Sequence, residues 1–126
     1  MTFTVPIKTV SALNVREHWA VRARRVKSER QSVYVMALAE RLVNRTPNGC
    51  RLAVTLPVTV TLTRISHRRL DAHDNLRAAC KGVADEITAL LGLKTDADER
   101  VEWRYRQSSE GKGVYGVRVT VESRGT

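Results

Sequence analysis

The sequence has few of the features that mark the common enzyme classes. Its two cysteines, Cys50 and Cys80, cannot form a disulfide framework, so we expect free thiols in a reducing, cytoplasmic setting. No apolar run reaches the roughly 18 residues of a membrane span, and residues 1–9 do not resemble a signal peptide, so we expect no membrane partner. The motifs GxSxG, GxGxxG and GxxxxGKS/T do not occur, which removes the best support for serine hydrolases, dinucleotide enzymes and P-loop NTPases.

Glycine and proline are also sparse, with seven and three of 126 residues. Together with 42% apolar residues, this excludes collagen-like and low-complexity chains and indicates a globular protein. The three histidines and two cysteines are scattered without the spacing of a zinc site. We therefore expect one domain over residues 1–126.

Positive charge is abundant but unevenly distributed. Lys and Arg total 22 against 13 acids, for a net charge of +9 and a pI of about 10.4, which favours a polyanionic partner such as nucleic acid. Residues 71–102, however, hold eight acids and four bases, so this segment is −4 and the rest of the chain is +13. Carboxylates repel phosphates unless a divalent cation lies between them, as in enzymes that cut phosphodiesters. The alternative is that these acids line exposed helix ends.

The hydropathy pattern predicts an α+β (mixed α/β) fold in the order β-α-β-α-β-β, with a small mixed sheet packed against two helices. Alternation over residues 52–63 marks the clearest strand, with Pro57 at its effective start or at a bulge. Helical spacing covers residues 17–43, with a charged first half, and an apolar stripe from Leu76 to Leu91 ends at Gly92. Two last strands, near residues 101–105 and 115–121, are expected to pair as a hairpin.

Three aspartates stand at junctions between these elements. Asp71 and Asp74 lie where a strand leads into a helix, and Asp98 lies in the loop that follows this helix. We expect them to converge into an oxygen-rich site for one or two Mg²⁺ or Mn²⁺ ions, which in such sites align a water and stabilise the leaving oxygen. The competing interpretation makes Asp74 a helix N-cap and leaves Asp98, like Asp96, an ordinary loop acid.

The acidic segment also resembles a known family. The run Arg69 to Leu76, RLDAHDNL, followed by Lys81 and Asp85, looks like the acidic motif of the RusA-type Holliday junction resolvases, many of them encoded by phages and prophages. The resemblance covers about residues 3–107. It continues through Leu91-Gly92-Leu93, Asp96-Ala97-Asp98, Val101-Glu102-Trp103 and Gln107, and it includes the N-terminal stretch from Val5 to Arg30 with Asn14 and His18-Trp19.

This resemblance implies a homodimeric, Mg²⁺- or Mn²⁺-dependent endodeoxyribonuclease that cuts four-way junctions by paired symmetric nicks. It carries the metal-binding aspartates over to Asp71, Asp74 and Asp98, the last because it lies three residues before the aliphatic Val101. The family also uses a helix lysine as a catalytic residue. Two departures stand out: the first two acids are three residues apart instead of two, and Ala78 occupies the lysine position. Lys81 or Arg77 is then the substitute.

Basic residues on both sides of the acidic segment are the predicted DNA contacts: Arg16, Arg22, Arg24, Arg25, Lys27, Arg30, Arg64, Arg68, Arg69 and Arg77. Beside them, Trp19 is expected either to stack on an unpaired base or to lie in the core. Two other functions remain open: a non-catalytic nucleic-acid-binding protein, and a metal-dependent nuclease for other branched or single-stranded DNA. His67 and His73 are further candidates for a general base or a metal ligand, although single histidines in a loop usually have neither role.

Overall fold

The computed structural model describes residues 1–9, 18–70 and 74–124, with Asp74 described by its backbone alone. The predicted mixed α+β class is confirmed. No helix within these ranges is long and apolar enough to cross a membrane. The elements are, in chain order, β1 (Thr2–Val5), α1 (Trp19–Ala39), β2 (Val43–Thr46), β3 (Gly49–Leu52), β4 (Val58–Ile65), α2 (Asp74–Ala79), α3 (Lys81–Leu90), β5 (Val101–Ser108) and β6 (Gly116–Ser123).

The main sheet has the strand order β1-β6-β4-β5. β4 runs parallel to β5, with Val58 opposite Val101, and antiparallel to β6. Its alternation works as expected: Val58, Val60 and Leu62 are fully buried, while the threonines between them are half-buried on the opposite face. The helices pack on the apolar face of the sheet. The ends of the strands and the opposite face are therefore not covered by the helices and are accessible to a ligand.

The predicted β5–β6 hairpin is wrong, because β4 lies between these two strands. The physical reason is burial. β4 carries the apolar side chains that profit most from a central position, whereas β5 alternates Glu102, Arg104 and Arg106 on its outward face and suits an edge. The connection over residues 109–115 is long enough to step across one strand.

The strand predicted over residues 52–63 is also divided. β3 ends at Leu52 and pairs with β2 in a separate two-stranded sheet, and β4 begins only after Pro57. Proline lacks the N–H that a central strand needs, so the effective start after Pro57 is confirmed.

The helices agree with the sequence pattern in part. In α1 the first half projects charge, as predicted, while Val33 and Ala37 are fully buried in the second half. The second predicted helix is two helices, α2 and α3, separated at Cys80. Gly92 ends α3 as expected: its φ of 78° lets the Gly92 N–H bond the Ala89 carbonyl and the Leu93 N–H bond the Thr88 carbonyl.

Candidate active site

The acidic junction begins at the carboxyl-terminal end of the parallel pair of β4 and β5. There the Gln107 side chain bonds the backbone of Leu70 twice: Oε1 accepts from the Leu70 N–H at 2.7 Å, and Nε2 donates to the Leu70 carbonyl at 2.8 Å. Asp71 follows Leu70 directly in the chain but lies outside the described residues. α2 begins at Asp74. Gln107 therefore holds the segment that leads into the acidic motif.

Exposed arginines surround this junction. Arg68 and Arg69 are exposed just before it, and the Arg77 guanidinium lies 5.3 Å from the centre of the Tyr105 ring. Burial raises the pKa of Tyr105, so this ring is a neutral phenol at physiological pH. A shallow cavity of about 340 Å³ is lined by Arg69, Leu76, Tyr105, Arg106 and Gln107. Sequence reasoning missed Arg106, although its outward position follows from the alternation of β5.

Arg64, although it is among the predicted DNA contacts, does not belong to this exposed set. The residue is 7% exposed. Its Nε donates to Thr9 Oγ1 at 2.7 Å and its Nη1 to the Arg68 carbonyl at 2.6 Å. Burial lowers the pKa of Arg64, although a guanidinium stays charged at any physiological pH. Arg64 therefore stabilises the turn after β4 by a hydrogen bond from the protein interior to the Arg68 carbonyl. Its position in β4 carries the signal, because residues 58, 60, 62 and 64 share the buried face.

Asp98 lies at the other end of the strand pair. Its carbonyl accepts from the N–H of Val101, the first residue of β5. Its side chain is engaged by Arg100: Oδ1 accepts from the Arg100 backbone N–H at 2.9 Å and from Nε at 3.0 Å, and Oδ2 accepts from Nη2 at 2.8 Å. These hydrogen bonds lower the pKa of Asp98 to about 2. A cation at Asp98 would have to compete with Arg100.

Within the described residues, Asp74 and Asp98 are not brought together as predicted, and Asp71 lies outside the described residues. α2, which starts at Asp74, packs beside Tyr105 through Leu76 and Arg77, whereas Asp98 precedes Val101. β5 alone rises about 13 Å between residues 101 and 105. Oxygens that share one Mg²⁺ each lie about 2.1 Å from it, so they are within roughly 4 Å of one another. Asp74 and Asp98 stand at opposite ends of the strand pair, since α2 and α3 run back along it.

Lys81 occupies the start of α3 and is held by two carboxylates. Its Nζ lies 2.9 Å from Asp96 Oδ2 and 3.1 Å from Asp85 Oδ1. The hydrogen bond to Asp96, with the contribution of Asp85, raises the pKa of Lys81. Asp85, four residues after Lys81 on α3, is thus an ion-pair partner of the lysine. A phosphate bound by Lys81 would therefore have to replace a carboxylate.

The basic residues in the first half of α1 differ in exposure. Arg22, Arg24 and Lys27 are exposed. Arg25 lies 3.7 Å from Glu29, and Arg30 lies 3.0 Å from Glu86 on α3, so these two arginines carry carboxylate partners. Arg16 lies outside the described residues.

Among residues 1–9, 18–70 and 75–124, no three His, Cys, Asp or Glu side chains are grouped as metal ligands. His67 is exposed at the turn after β4, and His73 is not among the described residues. No family model matches the sequence, and no curated protein matches it either.

Proposed function

We propose that this chain is a Mg²⁺- or Mn²⁺-dependent endodeoxyribonuclease of the RusA type, which nicks four-way DNA junctions as a homodimer. The observation that carries the proposal is the junction at the carboxyl-terminal end of β4 and β5. There the segment leading into Asp71 and Asp74 is clamped by Gln107 and surrounded by exposed arginines. Arginines attract a phosphodiester to a place where carboxylates would repel it, and a divalent cation resolves this conflict.

The donor set fits this cation. Mg²⁺ in such sites is held by one or two carboxylates together with substrate phosphate oxygens and waters, and Asp71 and Asp74 supply two carboxylates within four residues. When bound, the ion supplies Lewis-acid stabilisation of the phosphate and a nucleophile at neutral pH. Arg68, Arg69, Arg77 and Arg106 then bind backbone phosphates, which positions the strand without reading its sequence.

In this proposal the homodimer also completes the active site. On the sheet described here, β5 is an edge strand, and a two-fold axis beside this edge would set two β5 strands antiparallel. The amino-terminal end of one β5 would then lie by the carboxyl-terminal end of the other. Asp98 of one copy would thus approach the acidic junction of its partner, which a single chain does not achieve.

The deciding experiment is cleavage of an end-labelled synthetic four-way junction, in Mg²⁺ or in EDTA, by the wild-type chain and by Asp74→Asn. We expect paired symmetric nicks that require Mg²⁺. Asp74→Asn should lose cleavage by at least about 100-fold but bind the junction as well as the wild type or better, because one carboxylate fewer faces the phosphates.

Glu122→Gln is the matched control. It removes the same charge from an exposed residue of β6, which β4 separates from the β5 edge, and should cut like the wild type. Tight binding without any nick in Mg²⁺ or Mn²⁺ would contradict the proposal and favour a non-catalytic binding protein. Nicks in flaps or single strands but not in junctions would support a nuclease and contradict the four-way junction as its substrate.

A further inference from the structure

Trp19, the first residue of α1, does not lie in the core. Its side chain is 75% exposed, the largest exposure among the described large apolar residues. The ring contact described for it is with the neighbouring His18, at 5.4 Å between ring centres and a tilt of 35°. His18 also caps the helix, since its Nδ1 accepts from the Ala20 N–H at 3.2 Å. The indole therefore contacts His18 at the start of α1 and has most of its surface open to solvent.

Trp19 stands at one end of a groove along α1. The groove has a volume of about 710 Å³, within the range of pockets that take ligands of nucleotide size. Trp19, Ala23, Val26 and Arg30 recur every three to four residues, so they form one stripe over three helical turns, about 16 Å long. The small side chains of Ala23 and Val26 leave a low apolar floor next to the indole.

The walls of this groove are cationic. Arg22 and Lys27 line it beside the stripe, and both are exposed. One carboxylate, Glu86 from α3, belongs to the described lining, and its Oε1 accepts from Arg30 Nε at 3.0 Å. The lining therefore combines a net positive charge with an aromatic ring that can accept a flat partner.

We propose that this groove binds an unpaired nucleotide of DNA, with its base stacked on the Trp19 indole and its phosphates against Arg22 and Lys27. Exposed aromatic rings next to a positively charged groove are how proteins hold single strands, because every base offers a π face once it leaves its neighbours. A base inside a duplex is already stacked on both faces. The groove thus selects for branch points and single-stranded segments over continuous duplex.

The groove adjoins a second cavity at the start of α3. Arg30 lines both this groove and a neighbouring cavity of about 290 Å³, whose other side chains include Lys81, Asp85 and Asp96. This inference rests on the proposed function only in taking DNA as the polyanion, and its test involves no cleavage.

The test measures tryptophan fluorescence during titration with a single-stranded oligo-dT and with a duplex of equal length, in EDTA. The sequence has one other tryptophan, Trp103, so quenching that disappears in Trp19→Ala reports Trp19. We expect oligo-dT to quench the wild type saturably and at lower concentration than the duplex. Because Trp19→Ala lacks the reporting indole, its affinity is measured by the fluorescence anisotropy of dye-labelled DNA, and it should bind oligo-dT about tenfold more weakly and duplex less than twofold more weakly than the wild type. Since Trp19 is so exposed, circular dichroism should show an unchanged fold.

Val21→Ala is the matched control, because it truncates another exposed apolar residue of α1 that does not line the groove, and it should bind oligo-dT like the wild type. Unchanged oligo-dT affinity in Trp19→Ala, or equal quenching by duplex and single strand, would overturn the proposal. So would a blue shift of Trp19 emission on anionic phosphatidylserine vesicles without quenching by oligo-dT, which would indicate a lipid surface as the ligand. Junction cleavage is measured separately. Base stacking on Trp19 without cleavage would therefore contradict the proposed nuclease activity and support nucleotide binding in the groove.

Discussion

Lys81 Nζ lies 2.9 Å from Asp96 Oδ2, which ties the start of α3 to the loop that leads into β5. The same loop is held from the other side, because the Trp103 Nε1–H donates to the Asp96 carbonyl at 2.8 Å. Asp96 therefore connects a helix and a strand through its side chain and its backbone. Two residues further along the chain, Asp98 is paired with Arg100, so the whole acidic loop has a defined arrangement.

The Lys81 ion pair makes a small, pH-dependent contribution to stability. Lys81 is 57% exposed, so Lys81→Met should lower the free energy of unfolding by less than about 1 kcal/mol at pH 7. Because the folded-state pKa of Lys81 is raised, this contribution is fully present below the unfolded pKa of about 10.4 and is lost as the pH rises through the folded value. Urea unfolding of both chains at pH 7, 9 and 11 measures it. A difference that grows at pH 11 would contradict this assignment.

The pKa of Asp98 should depend on Arg100. In the wild type it is lowered to about 2, so any stability that this pair contributes is present above the unfolded pKa of about 3.9 and is lost as the pH falls through 2. Arg100→Gln should raise the Asp98 pKa toward its ordinary value, as measured by carboxyl carbon NMR titration. Arg104→Gln, which breaks the similar pair with Glu102, is the control and should leave Asp98 unchanged. An unmoved Asp98 pKa in Arg100→Gln would show that Arg100 is not the cause.

A site shared between two copies predicts complementation. Asp74→Asn and Asp98→Asn should each be inactive alone. In a mixed dimer, the intact Asp74 of one copy meets the intact Asp98 of the other, which restores one of the two sites. Mixing the variants should therefore restore single nicks in the four-way junction, at up to about half the wild-type rate per mixed dimer.

The control for this experiment is a mixture of Asp71→Asn with Asp74→Asn. Both changes lie in the same acidic junction, so each site of the mixed dimer keeps one defect and no cleavage should return. If the Asp74→Asn and Asp98→Asn mixture stays inactive while size-exclusion chromatography of tagged chains shows mixed dimers, the shared site is wrong.

Gln107 should support cleavage without contacting the DNA. Gln107→Ala removes both hydrogen bonds to Leu70 and should cost about 1–3 kcal/mol in the free energy of unfolding. We expect cleavage at saturating junction to fall while the Kd of the junction changes less than twofold, because the arginines remain. Gln107→Glu keeps the acceptor but lacks the donor, so it should lie between Ala and the wild type. A changed Kd with unchanged cleavage would make Gln107 a DNA contact instead.

Local patterns in the sequence predicted much of the secondary structure, because they depend on neighbouring residues. The helix predicted to residue 43, however, ends at Ala39, and Val43 begins the unpredicted strand β2. Alternation identified β4, the spacing of Val33 and Ala37 identified the buried half of α1, and Gly92 marked the end of α3. The acidic motif could also be placed between a strand and a helix, since α2 starts at Asp74. Periodicity and capping are read within a few residues, so a single sequence carries them.

The tertiary structure alone decided which residues meet. Strand pairing depends on which edges bury the most apolar surface, so β4 separates β5 from β6 and places Asp98 far from Asp74. Burial turned Arg64 inward, and long side chains joined Lys81 to Asp96 across fifteen positions of the chain. Trp19 was open to two interpretations because one aromatic residue at the start of a helix has no periodicity of its own. Only the path of α1 over the sheet shows that its indole faces solvent beside a cationic groove.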